Sequence, residues 1–570
     1  MSNLRISLND FAFSRFGSYF RILAVKDAQS GTSEIYLSTV HGDANPGEIF
    51  RVEPISNGKS VPISAWATPS VATLESEYGQ IQLCISEPGL LRVKGQGLGL
   101  RLTKIIPQDR EYTAEHAFYY GQNRIQVNAR RNHMQYMITV LKGEHALVAP
   151  WVEISCSTIT MEFYPDPDTG VMEIALEEFL TSWKAREYRE SFQDCIDIVQ
   201  DDFQGWIKSC APAHVISPNT LELANFVQWS SVIHEHNYLK RTGMLMSKTN
   251  MMNVWSWDHC FNAMALTYGN PRFALDQWLI PFDHQDDNGA LPDSVNDQRM
   301  IWNFTKPPIH GWTLKWMMNR TDAISNDDLR DIYPKLARWT DWWFDYRDYD
   351  HNGVPQYNHG NDSGWDNSTI FCTNAPIESP DLSAYLILQL EALHDIAIRI
   401  GKQDEAKGWM QRAEEKLQQM LGHFWRDDHF VARITGTGEV VDTESLILCL
   451  PIVMGSRLPG RVIDAIADRI ETKFLTEWGL ATEAIHSSHY RSDGYWRGPI
   501  WAPSTMLIVD GLAQAGKTEL SQEIARRFCK MCDYNLMAEN FDAITGKGLR
   551  DPAYTWTASV LLVLAHEYCS

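Results

Sequence analysis

The chain predicts two domains of opposite character: an N-terminal antiparallel β-sandwich, then an all-α domain of paired helices closed into a toroid. Three observations carry this. Apolar residues alternate with a period of two as far as about Ala175. From about Glu178 the spacing becomes helical, and it stays so to the end. In the helical part, the loops rich in Trp and Asp fall mostly between alternate helices, so paired helices would gather them at one mouth. A chain of 570 residues also exceeds what one compact core accommodates.

The first domain is expected over residues 1–177. Its strands read as Arg21-Ile-Leu-Ala-Val25, Glu34-Ile-Tyr-Leu-Ser38, Gln80-Ile-Gln-Leu-Cys84, Arg124-Ile-Gln-Val-Asn128 and Thr158-Ile-Thr-Met-Glu-Phe163. Turn residues separate them, as in Gly42-Asp-Ala-Asn-Pro-Gly47. No catalytic constellation stands out here, so the domain braces its neighbour or, alternatively, binds sugars as a lectin does. A linker region follows at 178–216, where Trp183, Tyr188, Phe192, Ile196, Val199, Phe203 and Trp206 recur at helical spacing. The helical domain is expected over 217–570 and opens on the helix-start signal Ser217-Pro-Asn-Thr220. About a dozen helices are predicted, among them 257–269, 310–320, 381–401, 499–515, 517–538 and 555–567.

Composition removes several function classes. With 50 basic against 72 acidic residues, the formal charge of −22 repels nucleic acid and anionic membrane surfaces. The chain opens without a basic region followed by an apolar run, and no apolar stretch is long enough to span a bilayer, so a cytoplasmic enzyme is expected. Of the ten cysteines only Cys529 and Cys532 are spaced as a C-x-x-C pair, and no second pair completes a zinc site. No metal and no cofactor are called for. Many of the 21 tryptophans sit in polar loops, where a flat ring with one donor suits the face of a pyranose.

The stretch Tyr357-Asn-His-Gly-Asn-Asp362-Ser-Gly-Trp365-Asp366-Asn-Ser-Thr369 joins two carboxylates to amides, hydroxyls and an indole in a turn-rich loop. That mixture suits a polyhydroxylated ligand, although Asp, Asn and Ser are also ordinary turn and cap residues. Upstream, Asn253-Val-Trp255-Ser-Trp257-Asp258-His259 opens a helix with two indoles and a carboxylate that accepts from sugar hydroxyls. Asp286-Asp-Asn-Gly-Ala-Leu-Pro-Asp293 reads as a turn lining the pocket. Lys306-Pro-Pro-Ile-His310-Gly-Trp312 leads into another helix, with Trp312 either a sugar platform or core. Tyr495-Trp496-Arg497-Gly-Pro-Ile-Trp501 brings a fork-shaped cation and two indoles to a helix start. Glu539, in Glu539-Asn-Phe-Asp-Ala-Ile-Thr-Gly546, is expected at the C-terminal end of a long helix, where the dipole lifts a carboxyl pKa as a general base requires. Trp556, in Tyr554-Thr-Trp-Thr-Ala558, adds to the rim.

Ser363 to Ser368, Tyr495 to Trp501, Glu539 to Gly546 and Tyr554 to Ala558 together resemble glycoside hydrolase family 63, over about residues 217–570. The similarity is strongest to its α-glucosidases and its mannosylglycerate or glucosylglycerate hydrolases, and extends more distantly to trehalases through Gly364-Trp365-Asp366. The resemblance implies an (α/α)6 toroid and hydrolysis of a short α-linked glycoside with inversion. By position Asp366 is the general acid and Glu539 the general base. Trp255, Trp257, Asp258, Trp312, Trp365, Tyr495, Trp496, Arg497 and Trp556 then bind a small carbohydrate, a disaccharide or a glycosylated small acid. Asp362 stands as an alternative acid and Glu483 as an alternative base. Two other classes remain on the residues alone: a sugar epimerase or isomerase using His259, His310 or His359, and a non-catalytic carbohydrate-binding protein.

Overall fold

A computed structural model describes residues 4–26, 33–42, 47–104, 106, 113–373 and 375–569; residues 43–46 of the expected Gly42–Gly47 turn lie outside these. The chain divides into two compact units. One comprises Met1–Lys208, Gln228–His234 and Ser247–Met252; the other comprises Ser209–Val227, Glu235–Met246 and Asn253–Ser570.

The first unit holds two antiparallel sheets. One runs in the order Phe20–Lys26, Ser33–Thr39, Glu48–Ser56, Gly99–Lys104, Ile159–Tyr164, Glu144–Val148, with Lys59–Ser60 paired beside Glu48–Ser56. The other runs His116–Tyr119, Arg124–Ala129, Met134–Lys142, Val171–Phe179, Leu90–Gln96, Gly79–Glu87, Ala72–Ser76, Ser64–Ala67. Strict in-out alternation along Arg124–Ala129 and Ile159–Tyr164 buries one face of each strand, which is why period two was readable. The rings of Phe20 and Phe50 from one sheet meet Tyr136 of the other at 6.2 and 6.0 Å between centroids, so the two inner faces share a core.

The helical spacing predicted from about 178 holds only in part. Helix α1, Phe192–Ser209, begins well after Trp183 and Tyr188. Those two side chains instead donate to the Glu177 carboxylate at 2.8 and 2.6 Å, so a polar anchor holds the segment that aromatic spacing had marked as helix.

The second unit is helical. After α2 (Pro218–Ser231), of which the part up to Val227 falls in this unit, come α3 (Asp258–Leu266), α4 (Pro271–Leu279), α5 (His310–Met318), α6 (Asn326–Tyr346), α7 (Pro380–Arg399), α8 (Gln403–Phe424), α9 (Gly460–Arg469), α10 (Ala502–Gln514), α11 (Thr518–Asn535) and α12 (Thr555–Glu567). A 3-10 segment, Leu446–Arg457, precedes α9. Helices α3, α10 and α12 are buried nearly all round, whereas α6, α8 and α11 bury one face. The buried set packs pairwise: α3 on α5, α5 on α7, α7 on Leu446–Arg457, that segment on α10, α10 on α12, and α12 on α3. Helices α4, α6, α8, α9 and α11 lie against members of this set. A Cβ at Gly511 would stand 2.3 Å from the Ile452 carbonyl oxygen, so only glycine lets α10 approach the 3-10 segment this closely. The loops that enter the N-terminal ends of α3, α5, α7, α10 and α12 carry the residues singled out from the sequence.

Candidate active site

The loop from Tyr357 to Thr369 is built around Asp362. This carboxylate is 1% exposed and receives Arg347 Nη1 at 2.8 Å together with the backbone N–H groups of Thr305, Asn358 and His359. Both carboxylate oxygens are thus engaged in holding the loop. Gly364 then turns the chain at φ +69°, with its α-carbon so close to Trp257 that a Cβ would stand 2.5 Å from the indole. The turn delivers Asp366, half-buried, and with the Asn361 amide turned so that its nitrogen faces the carboxylate, Asn361 donates to both Asp366 oxygens at 2.9 Å. The next residue locks the loop to a second one: Asn367 accepts from Trp496 N at 2.9 Å, donates to Gly494 O at 3.0 Å, and its own carbonyl accepts from Arg497 Nε at 2.6 Å.

The indoles form a continuous wall. Trp365 lies 4.7 Å from Trp496, which stacks on Trp501 at 4.0 Å and 6° between planes. Trp257 lies 6.4 Å from Trp496 and 6.2 Å from Trp556, and Tyr495 and Tyr554 extend the set beside Trp496 and Trp556. Most of these faces are covered by one another, so the rings mainly shape the site and exclude water; Trp255 remains half-buried.

Inside this wall the carboxyl groups crowd each other. Asp258 is the first residue of α3, as its sequence position implied. Burial, with added repulsion from Asp293 and Asp366 and a partial offset from Lys306, pushes its pKa up to about 8. It is therefore protonated near neutrality, and can donate to a sugar oxygen where the sequence suggested only an acceptor. Asp293 is also raised, first by burial, and is held by Lys306 Nζ at 3.1 Å. Lys306 donates in addition to Asn361 O at 2.8 Å, which links it to the Asp366 loop.

Glu539 departs from its expected setting. Helix α11 stops at Asn535, because Leu536 takes φ +65° and Tyr554 N donates to Met537 O at 2.7 Å. Glu539 therefore sits in the connection before the short strand Asn540–Phe541, outside the reach of the helix dipole. Its pKa is still raised, to about 7, for other reasons: burial first, then the charge of Asp551, opposed by Arg550, with a further push from Asp366. Burial raises the pKa of the Tyr495 hydroxyl, and the charges of Asp366, Glu539 and Asp258 push it further. Asp258, Asp366, Glu539 and Tyr495 thus share one electrostatic neighbourhood although they come from four separate loops.

Other residues fall elsewhere. Trp312 donates its indole N–H to Asp510 at 2.8 Å and lines a separate cavity of about 620 Å³ with Trp316, Arg320, Arg457 and Tyr568, so it is not part of the Trp257–Trp496 wall. Arg497 donates through Nε to the Asn367 carbonyl at 2.6 Å. Glu483 accepts from Thr369 Oγ1 at 2.8 Å and Ser487 Oγ at 2.5 Å, a bracing role between loops; burial raises its pKa. His259 is fully buried, bonds Trp255 O at 2.8 Å, and burial lowers its pKa to about 4. His310 is enclosed by Trp278, Phe282 and Trp339, and His359 accepts from Asn361 N at 3.1 Å. His259, Cys260 and His310 do bring three metal-type ligand atoms together, in a fully buried site where burial keeps the imidazoles neutral and the thiol protonated. Arg550 and Asp551, which act on Glu539, went unmarked in the sequence; the only signal was a charged pair following the Gly546 turn.

The same residues fall within a known family. The family model of the mannosylglycerate hydrolase MGH1-like glycoside hydrolase domain matches residues 251–557. Mannosylglycerate hydrolase of Thermus thermophilus is 20% identical over 396 residues, covering 54% of this chain and 93% of the relative. Glucosylglycerate hydrolase of Mycolicibacterium hassiacum is 20% identical over 407 residues, with 54% and 91% covered. In fold, the chain is similar to a Thermus thermophilus mannosylglycerate hydrolase solved in complex with glucose, with a TM-score of 0.53 at 18% identity over 60% of this chain and 98% of that one. It is similar to a bacterial glucoamylase complexed with acarbose at a TM-score of 0.61 and 13% identity, over 99% and 94% of the two chains. With the family model spanning more than half of the sequence and including Asp258, Asp366 and Glu539, the chain belongs to glycoside hydrolase family 63.

Proposed function

We propose that this protein hydrolyses a short α-linked glucoside or mannoside with inversion, with Asp366 as general acid and Glu539 as general base, in a domain spanning about residues 217–570. The reading includes an (α/α)6 toroid, supported by the pairwise packing that runs from α3 through α5, α7, Leu446–Arg457, α10 and α12 back to α3. The observation that carries the assignment is the pairing of environments: Glu539 is 6% exposed with its pKa lifted to about 7, and it interacts electrostatically with Asp366.

Cleavage of a glycosidic bond passes through an oxocarbenium-like state, in which one carboxyl protonates the departing oxygen while the other removes a proton from the attacking water. A base whose pKa lies near the working pH combines adequate strength with a sufficient ionised fraction. The Asn361 amide fixes the orientation of Asp366, and protonated Asp258 offers a hydrogen bond to a sugar oxygen without adding charge. The relatives' names, mannosylglycerate and glucosylglycerate hydrolase, point to a glycosylated small acid as the first substrate to try. A screen of α-linked disaccharides, mannosylglycerate and glucosylglycerate, followed by detection of free monosaccharide, tests the proposal; release from none of them, or release only from the interior of long polysaccharides, contradicts it.

A further inference from the structure

Glu539 lies opposite an irregularity in its own hairpin. Asn540 pairs with Leu549 and Phe541 with Gly548, and just past this short ladder Glu539 N donates to Asp551 O at 2.7 Å, so Arg550 is stepped over where the pairing ends. Arg550 accordingly adopts φ +62°, a left-handed conformation that a long cationic side chain takes only when its surroundings impose it. Across the site, Tyr495 is in the same region at φ +63°. The Arg550 guanidinium lies 5.0 Å from the centre of the Tyr495 ring, and its Nη2 is 2.9 Å from Asp493 Oδ1. The Tyr495 ring and the Asp493 carboxylate, both from the loop before α10, thus hold the Arg550 cation beside Glu539.

The charges around Glu539 come from every loop packed on it. Asp551 lies on the return arm of the hairpin and is buried, Asp366 belongs to the loop before α7, and both disfavour an ionised Glu539. Tyr495 and Tyr554, the latter just before α12, contribute neutral phenols. Lys306 sits with Asp293, Arg347 with Asp362, and Arg497 with the Asn367 carbonyl. Among the strongest influences on Glu539, Arg550 is the one that favours its charge through a cation.

We infer that Arg550 is a positioning residue for the reaction: the turn of chain at the end of the hairpin, the Tyr495 ring and Asp493 fix its guanidinium where it favours an ionised Glu539 against the charges of Asp551 and Asp366. The inference rests on the reading of Glu539 as base, but its electrostatic content can be measured without turnover. With glutamate labelled at the side-chain carboxyl carbon with 13C, the signal lost in Glu539→Gln identifies Glu539, and its titration is then followed in the whole protein. Arg550→Met is expected to move the midpoint up by about one pH unit, the size of a nearby-charge effect. Arg550→Lys should leave it near the wild-type value, and Asp551→Asn should move it down. A midpoint unchanged by Arg550→Met overturns the inference, as does an equal shift in Arg550→Lys. Arg550 is part-exposed, so the Met variant retains the fold, which melting curves verify. On a cleaved substrate the acidic limb of kcat/KM should follow the same shift. If the midpoint moves and the limb does not, the role of Arg550 stands and Glu539 is not the base.

Discussion

Asn367 and Trp496 are joined by a hydrogen bond of 2.9 Å from the tryptophan backbone N–H to the asparagine side chain. Together with the bond from Asn367 Nδ2 to Gly494 O, it clamps the loop carrying Asp366 to the loop carrying the indole wall. Asn367→Asp keeps the acceptor but places a carboxylate against the Gly494 carbonyl. Turnover is expected to fall by about tenfold or more, through misplacement of Asp366 and Trp496, while the melting temperature changes little. Steady-state kinetics beside a melt checks this, and an unaltered kcat would mean the clamp has no bearing on catalysis.

The two carboxylates of the central loop should respond in opposite ways. Asp366→Asn is expected to leave stability intact and reduce hydrolysis by at least about a hundredfold, the scale of general acid catalysis, with a smaller loss on substrates whose leaving group needs no proton. Asp362→Asn should instead lower stability by about 3 kcal/mol, because it strands Arg347 in a buried position. Urea unfolding and kinetics on both variants decide the matter; an Asp362→Asn protein that is stable but inactive would transfer the acid role.

Asp258 makes stability depend on pH. Its folded pKa of about 8 lies above the ordinary carboxylate value, so the folded state holds a proton that the unfolded chain gives up. The stabilisation is complete below about pH 4, declines as pH rises through the interval, and is gone above about 8. Asp258→Asn removes the titration, so the variant should gain on wild type as pH rises from about 5 to about 9, by about 2 °C or more in melting temperature. A difference in Tm that stays constant over that range would contradict the assignment.

Activity should also depend on pH through Glu539. A base must be ionised, so kcat/KM is expected to fall below about pH 7, where burial and Asp551 keep the carboxyl protonated. The acidic limb should disappear in Glu539→Gln along with most of the rate. A limb centred near the ordinary glutamate value in the wild type would argue that another carboxylate serves as base.

Much of this architecture was readable in the sequence because the periodicities are strong. Alternation along Arg124–Ala129 follows from a sheet with one buried face, and the loops around Asp366, Trp496 and Trp556 stood out because they set indoles beside Gly and Asp, although in the structure those indoles pack on one another. What failed depended on tertiary partners. Nothing local ends α11 at Asn535, since Leu536, Met537 and Ala538 all favour helix; the stop comes from Met537 pairing with the chain around Ala553 and Tyr554. The raised pKa of Glu539 was therefore expected for the wrong reason. Trp312 looked like its neighbours in sequence until its bond to Asp510, a residue far along the chain, placed it beside another cavity. Arg550 was invisible because a hairpin of two two-residue strands leaves no periodic trace.

The central claim, that Glu539 activates water for attack opposite the leaving group, is tested most directly by replacing it and supplying another nucleophile. Glu539→Ala should lose nearly all hydrolysis of an α-glycoside bearing a good leaving group. The vacated space can admit azide, an anion that requires no base, and NMR of the product reads the stereochemistry. The account predicts that azide restores turnover and yields the β-glycosyl azide. An α-glycosyl azide would indicate double displacement with retention, and wild-type-like hydrolysis by Glu539→Ala beside an inactive Glu483→Ala would move the base to Glu483.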